Sequence, residues 1–228
     1  MERMIIRHAT LKAKQRQERD KFPSAVGTRI HRALSWLDRA EKSDGDLDSQ
    51  FIFLWIAFNA AYGQEHENFY NNETELFSRF IAKLVELDKN KALYELAWQQ
   101  FSSHIRVLLD NQYVFQPFWE FQKGKIEESA WQRQFAQEKG LINVALSTER
   151  TDKVLSIILR RLYTLRNQLM HGGATWNGQV NRAQITDAVA ILECLVPIVI
   201  DLMLDHPLKF LGAPSYPLIG EFDVDFKK

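Results

Sequence analysis

One cysteine, Cys194, stands in 228 residues. No intrachain disulfide can form, and a lone thiol inside an apolar helical run reads as a small buried hydrophobe of a reducing compartment, so the expected location is cytoplasmic. No run is long and apolar enough to cross a bilayer comfortably: the most apolar, residues 188–204, is short and holds Glu193, Pro197 and Asp201. No membrane partner is therefore expected. Arg3, Arg7 and Lys12 open the chain without the apolar segment of a signal peptide. An excess of either charge is missing too, with 29 Lys plus Arg against 29 Asp plus Glu. Nothing advertises a nucleic-acid binder globally, and such a site would need a local basic cluster.

Strand-like alternation and internal repeats are absent. So are the phosphate-cradling G-x-x-x-x-G-K-[ST] loop, the G-x-S-x-G elbow and the H-E-x-x-H zinc pattern. Histidines at 8, 31, 66, 104, 171 and 206 lack metal-ligand spacing, and the carboxylates are spread without a cluster. Neither a metal nor a cofactor is expected.

What is present is helical periodicity on 46% apolar residues, enough for a substantial core in one large domain. The predicted class is all-α: seven or eight helices in a bundle, with an aromatic-rich insert and an extended tail. Residues 1–23 form a charged N-terminal arm, read as a solvated or frayed helix, with an RNA-touching arm as the alternative. Residues 24–205 are the helical domain. A first core helix over 24–41 turns Val26, Ile30, Leu34, Leu37 and Ala40 inward, with Ser24 as its cap. After the turn SDGDLD, capped by Asp48 or Ser49, Phe51 to Tyr62 is apolar on all sides except Asn59 and is expected to be the most buried helix.

The polar loop 64–74 contains His66, read as a surface imidazole. Helices are expected at 74–89 and, unbroken, at 91–110. Residues 113–140 are the possible insert: the aromatic run YVFQPFWEF, then one short helix before Gly140. Its aromatics either pack the insert on the bundle or stack bases. A last helix over 182–205 is expected to kink near Pro197. The tail, 206–228, should lie extended on the body or on a partner.

The most informative stretch is 151–173, TDKVLSIILRRLYTLRNQLMHGG. Val154, Leu155, Ile158, Leu162, Leu165 and Leu169 make one helical face, Asp152 can accept backbone N–H groups at its start, and Gly172 or Gly173 can take the left-handed conformation that ends it. Arg160, Arg161 and Arg166 supply a local basic cluster. The end of the helix carries Arg166, Asn167 and His171, with Gly172-Gly173 leaving the neighbouring backbone open to a ligand. At about 100° per residue, Asn167 and His171 are nearly stacked, whereas Arg166 and His171 lie about 140° apart. They converge only if the last turn loosens or if two copies meet.

R-N-x-x-x-H closing a long helix, in an all-helical chain with FIFLWIAFNAAY upstream, resembles the HEPN superfamily and more narrowly its Apea-like branch. The likeness covers roughly residues 25–205. It implies a bundle that dimerises so that two Arg-His motifs line one cleft, and a metal-independent endoribonuclease of toxin–antitoxin or phage-defence systems, with a cognate antitoxin as a further partner.

RNA brings its own nucleophile, the 2′-OH, so cleavage needs only proton transfer and stabilisation of a dianionic phosphorane. Imidazole titrates near neutral pH and suits the first task; a guanidinium fork suits the second. The expected assignment is His171 as proton carrier, Arg166 as phosphate clamp, and Asn167, Gly172 and Gly173 in support. Asn59, a polar group in an apolar helix, must find a partner, either neighbouring backbone or Arg166 or Asn167 of the facing helix. Against the catalytic reading stands a plainer one, a C-terminal His complementing the helix dipole with Arg166 in a surface ion pair. The alternative function is a silent module of the same fold that binds RNA, a nucleotide or a protein.

Overall fold

A computed structural model describes residues 6–63 and 73–216. His66 and the last residues of the tail, 217–228, lie outside the described residues. Among the described residues the chain is all-helical: α1 His8–Glu18, α2 Ser24–Glu41, α3 Leu47–Tyr62, α4 Glu73–Leu87, α5 Ala92–Glu95, α6 Ser102–Leu109, α7 Gln116–Gln122, α8 Glu128–Ser147, α9 Thr151–Met170 and α10 Arg182–Asp205. No helix among the described residues is long and apolar enough to cross a membrane.

The expected stripe of α2 is buried in full, with Val26, Ile30, Leu34, Leu37 and Ala40 in the core. α2 and α3 are joined by a five-residue turn, where Gly45 takes φ +87°, and they pack on each other more extensively than any other pair. The cap of α3 is neither Asp48 nor Ser49 but Asp46, whose carboxylate accepts from the Ser49 backbone N–H at 3.1 Å. Ser24 is likewise already helical, and Pro23 precedes it with no side-chain cap.

α3 is not the most buried helix. Ile52, Ile56, Asn59 and Ala60 form a half-buried stripe on it, because α2 and α10 cover only its other sides. α10 lies deeper, buried along most of its length and running through Pro197. The described part of the charged N-terminal segment is not loose either. Leu11 is buried in the main core, and Lys14 reaches Asp201 at 2.6 Å and Asp205 at 2.7 Å on α10.

Two further expectations are corrected. The stretch 91–110 is interrupted by a π-type turn at Leu96–Gln100, closed by the Phe101 N–H donating to the Leu96 carbonyl at 3.1 Å. The wider turn lets Leu93, Leu96, Phe101, Ile105 and Leu108 all face inward. The helix expected to stop before Gly140 runs through it, twenty residues in all from Glu128 to Ser147. A mid-helix glycine costs about 1 kcal/mol, and the burial of Trp131, Ile142 and Ala145 on the same helix outweighs that.

The aromatic segment builds a small core of its own: Phe115, Phe118 and Trp131 are buried together, apart from the main cluster. After α10 the chain turns back, buries Phe210, and its carbonyl accepts from Arg29 Nη1 at 2.8 Å. The described part of the tail is thus packed on the body.

Candidate functional site at the end of α9

α9 is held from several sides, with α4 packed along it and α6 and α8 also in contact. Its apolar face is buried from Val154 to Leu165, as the spacing requires. Its start differs from expectation: no side chain caps it, and Asp152 instead receives Arg150 in a bidentate pair, both bonds 3.0 Å. That pair, with desolvation opposing it, leaves the Asp152 carboxyl below the usual carboxylate range.

The C-terminus follows the glycine signal. Gly172 has φ +70°; its N–H donates to Leu169 O at 3.1 Å, and the Gly173 N–H donates to Gln168 O at 2.7 Å. These are the two bonds of a Schellman cap. The cap stops α9 at Met170 and presents His171, Gly172 and Gly173 on the surface. A Cβ at Gly172 would meet nothing within 4 Å, so the backbone there is open to an approaching group.

Arg166 and Asn167 are brought together: Arg166 Nη1 donates to Asn167 Oδ1 at 3.0 Å. The guanidinium lies over the rings of Tyr163, at 5.0 Å, and Trp55, at 5.8 Å. It is half-buried while His171 is exposed. The last turn stays helical through Met170, so the helix does not loosen to join the two.

Asn59 sits elsewhere. Its side chain borders a hollow of about 560 Å³ with Arg29, Arg32 and Tyr216, and its Oδ1 is buried without a hydrogen-bond partner. Arg29 beside it is 1% exposed and donates to Ala61 O and Phe210 O. Burial pulls its guanidinium down to about 10, so it remains charged at neutral pH.

Sequence reasoning missed the residues that brace the site. Gln168 donates to Tyr113 O at 2.7 Å and accepts from Asn181 Nδ2 at 2.6 Å, tying the end of α9 to the aromatic segment and to the loop before α10. That loop is pinned to the start of α3. Trp176, close to the motif, is 72% exposed, yet its indole N–H donates to Asp46 Oδ1 at 3.2 Å. Asp48 Oδ2 accepts from the Asn177 backbone N–H at 3.0 Å and from Arg182 Nη2 at 2.9 Å. Ser49 and Trp176 together hold the Asp46 carboxyl below its ordinary value. The signal was present in SDGDLD, whose acids cluster beside an apolar helix, but the partner is 130 residues away.

Asn167 also borders a groove of about 710 Å³ between α9 and the α7–α8 unit. Arg161 is buried at the edge of this groove, 2% exposed, with its guanidinium 4.5 Å from the centre of the Phe115 ring. Among the described residues no three His, Cys, Asp or Glu side chains gather as a metal site. Compared with known protein families, curated proteins and solved structures, the chain matches none.

Proposed function

We propose that the chain is a HEPN-type, metal-independent endoribonuclease acting on single-stranded RNA, with a composite site formed where two copies bring their α9 ends together. The observation that carries this reading is the cap of α9, which leaves His171 exposed one turn beyond an Arg166–Asn167 hydrogen-bonded pair. In the reaction the 2′-oxygen attacks the adjacent phosphorus, its proton passes to a neutral imidazole, the bond to the 5′-oxygen breaks, and that oxygen takes a proton from an imidazolium. The products are a 2′,3′-cyclic phosphate and a free 5′-OH. Two His171 side chains fill the base and acid roles, and Arg166 stabilises the dianionic phosphorane. A C2 homodimer supplies both, since a regular helix sets Arg166 and His171 about 140° apart. A toxin or phage-defence role in the cytoplasm, restrained by an antitoxin, is the setting that goes with this reading.

A second reading has its own support. Arg166 is half-buried over Trp55 and Tyr163, as a structural arginine would be, and this favours a silent helical module of the same type.

Purified protein in EDTA should cleave single-stranded RNA and leave 2′,3′-cyclic ends. His171→Ala should lower the rate by about 10²–10⁴ with affinity unchanged, and Arg166→Ala should lower both rate and salt-dependent affinity. Wild-type rates in both variants would place any cleavage elsewhere. No cleavage by wild type on any RNA, or a strictly monomeric active species in sedimentation, would remove the composite-site nuclease.

A further inference from the structure

The proposed chemistry leaves open where the rest of the RNA lies, and the register of α9 answers this. Lys153, Arg160 and Asn167 are seven residues apart, and His171 follows Asn167 by four. At about 100° per residue all four fall within roughly 20° of one line along the helix. The buried Ile158, Leu162 and Leu165 occupy the opposite side. Arg166 is about 120° away from this line, turned toward Tyr163 and Trp55. The line runs from Arg160 to His171 for about 16 Å.

The same face is walled in. Against it α7 and α8 enclose the groove of about 710 Å³, bordered by Gln116, Gln134 and Gln137 on one side and Arg160, Thr164 and Asn167 on the other. A second hollow, about 880 Å³, shares Arg160 and Leu141 with it and continues past Lys153 toward Arg150. Both volumes suit bound nucleotides.

The charges lining this channel leave one cation in excess, and that surplus is carried by the buried Arg161. Glu138 is shared by Arg160 at 3.6 Å and Arg161 at 3.4 Å, so one carboxylate faces two guanidiniums. Arg161 Nε is buried with no hydrogen-bond partner. Burial pulls Arg161 down to about 10, still charged at neutral pH. Arg150 is matched by Asp152 and Arg79 by Glu75, while Lys153 adds a further cation and Glu120 a further acid on the channel wall. Three glutamine amides and Asn167 offer both donors and acceptors, the equipment that reads base edges of unpaired nucleotides. Ionised carboxylates would accept from the cations and the amide N–H groups but offer no donor to the amide carbonyls, which the amino groups of bases do.

We propose that this face of α9, closed over by α7 and α8, is the track on which single-stranded RNA lies, with phosphates on Lys153 and Arg160 and bases among Gln116, Gln134 and Gln137, leading to His171. The inference rests on the ribonuclease reading for its direction and on the groove for its ligand.

The test is binding of a fluorescent decauridylate to the full chain across a salt series, with a triuridylate and pentaglutamate as competitors. Lys153→Gln and Arg160→Gln should each weaken the decamer several-fold and reduce the salt slope by about 0.7. Lys123→Gln, on an exposed residue after α7, should change neither. The triuridylate should compete poorly. Circular dichroism checks that these surface variants fold. Unchanged slopes in both track variants, or pentaglutamate competing as well as RNA, overturn the track. If those slopes stay fixed while His171→Ala abolishes cleavage, the ribonuclease reading stands and the track falls. If the slopes drop but wild type cleaves nothing, the track stands and the chemistry falls. Absence of any RNA binding removes both.

Discussion

The body of the molecule and the α7–α8 unit solve the same problem with very different means. In the body, α2, α3, α9 and α10 bury long apolar stripes, aromatic-rich on α3, against one another in one continuous cluster. The α7–α8 unit has three buried aromatics of its own and is fastened to α9 by Ile142 and Ala145. Arg161 adds to this fastening, since its Nη2 donates to Leu109 O at 3.2 Å while its guanidinium stacks on Phe115 and Phe135. The contrast teaches that the groove beside α9 has one rigid wall and one wall of modest stability. A charged side chain, costly to bury, joins the two.

The comparison can be broken first in the body. Phe51, fully buried on α3 and in ring contact with Trp55, should cost about 3–5 kcal/mol on replacement by alanine. Chemical denaturation should show that loss in a single transition; a loss no larger than that of the small unit would erase the contrast. The second substitution is Trp131→Ala, which removes the centre of the aromatic cluster. A cost of about 1–3 kcal/mol is expected, and hydrogen exchange should quicken in 116–147 while α2 and α10 stay protected. Equal loosening everywhere would show that the two regions are one cooperative unit.

The smallest effect sharpens the role of the α3 cap. Asp46→Ala should cost about 1 kcal/mol and free the loop around Trp176, read as a change in indole fluorescence. The Asp46 carboxyl is held below its ordinary value of 3.8 by Ser49 and Trp176. A depressed carboxyl contributes stability that is present above the ordinary value and lost as pH falls through the folded-state value. Wild type should therefore lose more stability than Asp46→Asn below about pH 4. Parallel acid profiles would mean the cap bond contributes nothing.

Much of the fold was legible because apolar spacing is a local property. Val26 to Ala40 and Val154 to Leu165 are buried as their spacing requires, and Gly172 takes the positive φ that the Gly-Gly pair announced. Misreadings came where a local signal met a distant partner. Gly140 reads as a stop, yet the helix passes it because Trp131 and Ala145 are anchored on either side. Asp48 reads as a cap, yet it is taken by Arg182 from α10. Asn59 reads as needing a partner, from neighbouring backbone or from the facing helix, and its Oδ1 has none.

By itself the sequence determined that α9 is amphipathic, that Lys153, Arg160, Asn167 and His171 share one line, and that the helix ends where the glycines begin. Periodicity and the steric freedom of glycine suffice for that. Which of two adjacent arginines is buried was decided only by the tertiary structure. Arg161 is 2% exposed and Arg160 keeps 42% of its side chain in solvent. One step of about 100° along the helix separates them, and only the return of α8 across α9 sets Arg161 against the aromatic segment and leaves Arg160 facing the groove.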